Sequence, residues 1–166
     1  MDHPYCYPGT DVYRNKENLR DKDELEAFER QHSADRLLTL PHDLPITVGG
    51  YREIHRYILQ DVYDWAGEYR TVTTGRGGPF CKAEFIDAEM DMRFAAINAE
   101  DDLRGLTPAQ FAARAAEHSC ELNAIHPFLD GNAARNAPSW KCSPNRPVIR
   151  STWRASTPMP GTRLRR

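Results

Sequence analysis

The chain has 166 residues, with 22 Lys and Arg against 24 Asp and Glu and a mean hydropathy of −0.70. That length suits one domain, and a net charge of −2 gives no general electrostatic case for nucleic acid or an acidic membrane surface as the partner. No stretch approaches the ~20 apolar residues that cross a bilayer, and the start has no basic region followed by an apolar run, so the expectation is a cytoplasmic protein with no membrane partner.

Pro4, Pro8 and Gly9 among Tyr5, Tyr7 and Tyr13 predict an ordered arm packed on the domain rather than a helix. Asp21 can cap the next segment, where Leu25, Phe28, Ala34, Leu37 and Leu38 recur at three- and four-residue steps, which predicts a helix over Lys22–Leu38. Pro41 and Pro45 then force an extended connection. Tyr51, Ile54, Tyr57, Ile58, Val62 and Trp65 follow helical spacing and predict a second helix over residues 50–65 with one face buried. Next, "EYRTVTTGRGGPFC" sets β-branched residues beside turn formers and predicts a short hairpin around Gly75 and Gly78. Helices follow over residues 83–98 and 108–125, the last with Thr107 as N-cap and Pro108 at the first helical position. Four helices and one hairpin make a mainly α domain over residues 1–132.

Composition changes abruptly after Asp130. No Asp or Glu follows, while Arg135, Lys141, Arg146, Arg150, Arg154, Arg163, Arg165 and Arg166 do, among Pro138, Pro144, Pro147, Pro158 and Pro160. Residues 133–166 have no apolar period that could bury a face, and the expectation is disorder. The four cysteines form no C-x-x-C pair, so neither a zinc site nor a redox motif is suggested.

The segment "ELNAIHPFLDGN" ends a helix and enters a loop that holds a His, a carboxylate, a Gly and an Asn. His126 titrates near neutral pH and could act as a general base toward a hydroxyl. Asp130 is a hard oxygen ligand suited to Mg²⁺, which takes one or two carboxylates together with substrate phosphates. Gly131 and Asn132 would let the backbone turn tightly and present N–H donors to an anion. Together these point to phosphate chemistry. The same residues also make a respectable turn after a helix, and spacing alone does not choose between the two.

"HPFLDGN" resembles the opening of the Fic (Fido) family motif, H-P-F-x-[DE]-G-N-G-R. "YPGTDVYRNK" resembles the N-terminal arm of Fic proteins of toxin–antitoxin modules, "IHRYILQDVYDWAGEYRTV" resembles the helix and the start of the hairpin called the flap, and "PFC" closes it. The resemblance implies a Fic-type helical bundle that carries a short β-hairpin flap and transfers AMP from ATP to a hydroxyl of a target protein. In that reading His126 deprotonates a Tyr, Thr or Ser hydroxyl, Asp130 holds Mg²⁺ on the phosphates, and Gly131 and Asn132 help bind phosphate oxygens. Phe128 anchors the loop, and Thr71, Val72, Thr73, Thr74 and Gly75 of the flap align the target backbone by strand-like pairing. The pattern [ST]-x-x-x-E-[GN] of a built-in inhibitory helix is absent. This resembles the class in which a separate small antitoxin supplies that helix.

The motif then fails. Ala133 and Ala134 stand where Gly-Arg is required, and Arg135 comes one place late, so the arginine fork matched to phosphate is absent or misplaced. A reading-frame shift accounts for this. If the undamaged gene read AAC GGC CGC ACG CAA CGC, loss of one G from GGC yields Asn-Ala-Ala-Arg-Asn-Ala, the residues found from Asn132 to Ala137. The other frame restores "HPFLDGNGRTQR". A basic arm for nucleic acid is the competing account of the tail, but it lacks aromatic interleaving beyond Trp140 and Trp153. Two functions stay open: a protein adenylyltransferase, and a catalytically inactive Fic fragment that keeps only antitoxin or weak nucleotide binding.

Overall fold

The computed structural model describes residues 3–132, so the tail from residue 133, Arg135 included, lies outside the described residues. Four helices carry the fold: α1 (Lys22–Leu38), α2 (Val48–Leu59), α3 (Ile86–Ala99) and α4 (Pro108–Ile125). The expectation of a mainly helical domain holds.

The ends of α1 and α4 fall where local chemistry places them. The Asp21 carboxylate accepts from the Asp23 and Glu24 N–H groups, and Thr107 forms a reciprocal capping box with Gln110 ahead of Pro108. The other elements depart from the sequence expectation. Thr47, not Gly50, opens the second helix region, its hydroxyl accepting from the Gly50 N–H. That helix also stops at Leu59 instead of running to Trp65. The N-terminal arm is the reason, because Lys16 donates its N–H to the Val62 carbonyl (2.9 Å) and its Nζ to the Gln60 carbonyl (2.7 Å). Those acceptors are then lost to a continuing helix, and Val62 and Tyr63 both donate back to the Leu59 carbonyl. The segment over residues 83–98 divides into a 3₁₀ turn, Ala83–Phe85, followed by α3.

The hairpin is reduced to a single antiparallel bridge between Gly75 and Pro79, extended by a hydrogen bond from the Phe80 N–H to the Thr74 carbonyl. Its flanks cannot lengthen into a ladder because their backbone groups are engaged elsewhere. Arg70 takes the Val72 and Cys81 carbonyls, and the Thr71 N–H donates to the Tyr5 hydroxyl.

Two clusters form the core. Tyr7 and Val12 of the arm join Leu25 of α1 with Leu59, Val62, Tyr63 and Ala66. Ile86, Met90, Phe94 and Ile97 of α3 pack on Leu122 and Ile125 of α4. Each large apolar side chain so buried contributes about 1.5–3 kcal/mol. Between the clusters lies Phe128, 1% exposed, in contact with the rings of Tyr51, His55 and Tyr69. Its position fixes the loop after α4 to the side of α2.

Candidate active site

The site begins where α4 ends. His126 is the C-cap residue, in the left-handed conformation (φ 52°, ψ 60°), with its N–H donating to the Leu122 carbonyl. The helical conformation is disfavoured there because Pro127 follows, and the left-handed alternative costs a non-glycine residue roughly 1–2 kcal/mol. Tertiary contacts must therefore hold His126 in place. The Phe80 ring, at the exit of the flap, lies flat on the imidazole with centroids 3.9 Å apart and planes 4° apart. Arg70, 2% exposed, donates from Nε to the His126 carbonyl (2.8 Å) and from Nη2 to the Ile125 carbonyl (3.2 Å). A buried cation at a helix C-terminus satisfies carbonyls that have no helical partner and complements the helix dipole.

These neighbours set the charge of His126. Burial first, and then the positive Arg70 guanidinium, push its pKa below the usual histidine range. Asp130 and the Asn123 carbonyl pull the other way, the latter through a contact outside hydrogen-bond geometry, since Nδ1 is buried without a partner among the described residues. The imidazole is therefore neutral near pH 7, the state in which it can accept a proton.

The loop from Pro127 to Asn132 is closed by its own groups. The Asn132 side chain bonds both backbone groups of Phe128, accepting the N–H at Oδ1 (2.8 Å) and donating from Nδ2 to the carbonyl (2.7 Å). Asn132 was expected to serve phosphate binding, and its amide is committed to shaping the loop, which leaves its backbone N–H for that role. The Asp130 carboxylate accepts the Gly131 N–H (2.7 Å). Gly131 has φ +73°, which strains any other residue, and a Cβ there would come 2.8 Å from Leu59 Cδ1 and 3.1 Å from His55 Nε2, so that both side chains would have to shift. No cluster of three or more His, Cys, Asp or Glu with metal-binding geometry occurs among the described residues. Half-buried Asp130 is thus a single-carboxylate donor, a set that fits a Mg²⁺ completed by substrate phosphates and waters.

His55 braces this loop from α2. Its Nδ1 accepts the Gly67 N–H (2.9 Å), so its Nε2–H donates to the Asp130 carbonyl (2.9 Å), and its ring stacks on Phe128 at 3.7 Å. Burial drives its pKa down to about 4 against the smaller pull of Asp130, consistent with a permanently neutral strut. The expected flap residues surround the turn: Thr71, Thr73 and Gly75 are exposed, Val72 and Thr74 half-buried. Their link to His126 runs through Arg70 and Phe80. Sequence reasoning assigned no individual role to His55 or Arg70, and placed Phe80 only in the "PFC" that closes the flap. His55 could have been found from its place four residues from both Tyr51 and Leu59 on the apolar face of α2, whereas nothing local marks Arg70 as buried.

A family model described as the Fic/DOC family matches residues 45–134. The chain belongs to the Fic/DOC family. Among curated Fic relatives it is 41% identical over 134 residues to a probable protein adenylyltransferase, y4lH, of Sinorhizobium fredii, covering 80% of this chain and 70% of the relative. It is 38% identical to the probable protein adenylyltransferase Fic of Escherichia coli, covering 78% of this chain and 66% of that one. The chain thus spans about two-thirds of the length of these relatives. The fold matches the N-terminal Fic domain of a putative cell filamentation protein with bound ADP from Bartonella quintana (TM-score 0.74, 24% identity, 80% and 71% of the two chains). It also matches BepC with bound AMPPNP from Bartonella tribocorum (TM-score 0.70, 24% identity, 77% and 70%). No helix among the described residues is long and apolar enough to cross a membrane.

Proposed function

We propose that this Fic chain derives from a protein adenylyltransferase that transfers AMP from ATP to a Tyr, Thr or Ser hydroxyl of a target protein. The observation that carries the reading is the geometry of one loop, in which His126 stands at the end of α4 under the Phe80 ring and Asp130 follows four residues on, beside a Gly131 in the left-handed conformation. The names of its relatives, and the nucleotides bound in two structures of the same fold, support it. His126 takes the hydroxyl proton as the target oxygen bonds to the α-phosphorus, and the bond from that phosphorus to the bridging oxygen breaks to release pyrophosphate. The backbone N–H of Asn132 binds a phosphate oxygen, that of Gly131 joins it once the Asp130 carboxylate that now accepts it turns away, and Asp130 is the residue to hold Mg²⁺, which would supply charge neutralisation on the phosphates. The flap, residues 71–80, aligns the target through backbone pairing along residues 71–75. The reaction belongs to a toxin in the cytoplasm whose separate antitoxin supplies an inhibitory helix.

A second reading is favoured by Ala133 and Ala134, which replace the motif Gly-Arg and leave Arg135 out of register. Under it this chain is the inactive product of a one-base deletion and keeps only antitoxin or weak nucleotide binding. Two measurements separate the parts of the proposal. Sequencing the gene across the Asn132 codon is expected to show codons that restore Gly-Arg when one base is added, and incompatible codons would end the frameshift account. Mass spectrometry of proteins treated with ATP and the restored enzyme is expected to find AMP on a hydroxyl side chain. Its absence, or persistence with His126→Ala, would overturn the adenylyl-transfer reading.

A further inference from the structure

We infer that Phe80 is a positioning residue for His126, and that through Arg70 the flap and the base form one mechanical unit, so that docking a target on the flap also sets the base. The inference rests on His126 being the base proposed above, but its geometry stands apart from the reaction transferred.

Three observations carry it. The ring planes of Phe80 and His126 are parallel within 4° at 3.9 Å, so one whole face of the imidazole is covered. Phe80 is itself fixed by the flap, since its N–H is the last to pair across the turn, with the Thr74 carbonyl at 3.0 Å. Finally, one guanidinium joins both ends of the flap to the end of α4: Arg70 donates to Val72 (2.7 Å) and Cys81 (2.5 Å) on the flap side, and to Ile125 and His126 on the helix side. The Arg70 N–H adds a bond to the Pro127 carbonyl (3.0 Å). Five hydrogen bonds from one residue, all to backbone carbonyls, leave little play between the flap exit and the base.

The stack has work to do because His126 occupies a left-handed position before a proline, with Nδ1 buried and unpartnered among the described residues. No hydrogen bond of good geometry holds the Nδ1 side of the ring among the described residues, so without Phe80 its side-chain torsion is set by weaker contacts such as that with the Asn123 carbonyl. Aromatic stacking of this kind restrains orientation and excludes water from one face. The charged groups that act on the imidazole are Arg70 from the start of the flap and Asp130 from its own loop, with the Asn123 carbonyl from α4.

The test uses the full 166-residue chain. Proton NMR of the His126 Hε1 resonance, assigned by its loss in His126→Ala, is followed against pH in wild type, Phe80→Leu and Phe80→Trp. In wild type the resonance is expected upfield from ring-current shielding, with a midpoint below ~6.5. Phe80→Leu keeps an apolar side chain under the flap but should move the resonance downfield and raise its midpoint, whereas Phe80→Trp should keep it shielded. A native amide spectrum with Hε1 unchanged in Phe80→Leu would overturn the inference. In the frame-restored chain, Phe80→Leu should lower kcat roughly tenfold to a hundredfold with KM for ATP little changed. A KM effect alone would refute positioning of the base. If the restored chain transfers no AMP while the NMR result holds, the proposed reaction fails and the coupling of flap to histidine stands.

Discussion

Replacing His55 by Ala should remove the strut that holds the loop against α2, and the structure allows its cost to be worked out. The variant loses the stack on Phe128, about 1 kcal/mol. It leaves the buried Gly67 N–H without an acceptor, at a cost of about 1–2 kcal/mol, and removes the charge-neutral bond to the Asp130 carbonyl, about 1 kcal/mol more. A cavity where a 6%-exposed ring had been brings the total to roughly 4 kcal/mol, a large share of the ~5–15 kcal/mol typical of a domain. His55→Gln can still reach the Asp130 carbonyl with a donor and should lose about half as much. Urea unfolding of the 166-residue chain at pH 7.5, followed by far-UV circular dichroism, reads the difference as a fall in midpoint at constant slope. Arg56→Ala, which breaks an exposed pair with Glu53, is the control and should leave the midpoint close to that of wild type. The reasoning is refuted if His55→Ala falls within ~1 kcal/mol of wild type, or if Gln and Ala are equivalent.

Gly131→Ala forces a side chain into the left-handed region and against Leu59 and His55, so a loss of roughly 1–2 kcal/mol is expected in thermal melts, and an unchanged melting temperature would show that the loop yields. The Glu100 carboxyl is held down to about 2 by its hydrogen bonds to Arg114, assisted by His118. A lowered carboxyl pKa contributes stability that is present above the ordinary ~4.3 and is lost as pH falls toward 2. Glu100→Gln should therefore lower stability at pH 7, where the contribution is fully present, and change little near pH 2, which flattens the acid limb between them, whereas an unchanged stability at pH 7 and an identical acid limb would mean that the pair is fully screened.

The parts of the fold that could be read from the sequence are those decided by local chemistry. Asp21, Thr107 and Pro108 fix helix starts through hydrogen bonds within a turn, and α1 and α4 lie on their predicted boundaries. The far end of α2 departs from the expectation because Val62 and Trp65 continue the apolar period although the helix has ended. They are buried or packed from turns, since Lys16, far away in sequence, has taken the carbonyls. Residue types on the loop could be read because base, carboxylate and glycine carry their chemistry with them. The supports could not, since a histidine, an arginine and a phenylalanine become His55, Arg70 and Phe80 of this site only when α2, the flap and α4 meet.

The account turns on whether a sound Fic active site ends at a misread glycine. Labelling of a bacterial lysate with α-³²P-ATP by three chains decides it: this chain, the version with one base restored after Asn132, and the restored version with His126→Ala. Label transferred by the restored chain alone is the result the account predicts. Equal labelling by this chain would contradict it, because Arg135 would then serve in place of the missing arginine, and so would labelling that survives His126→Ala.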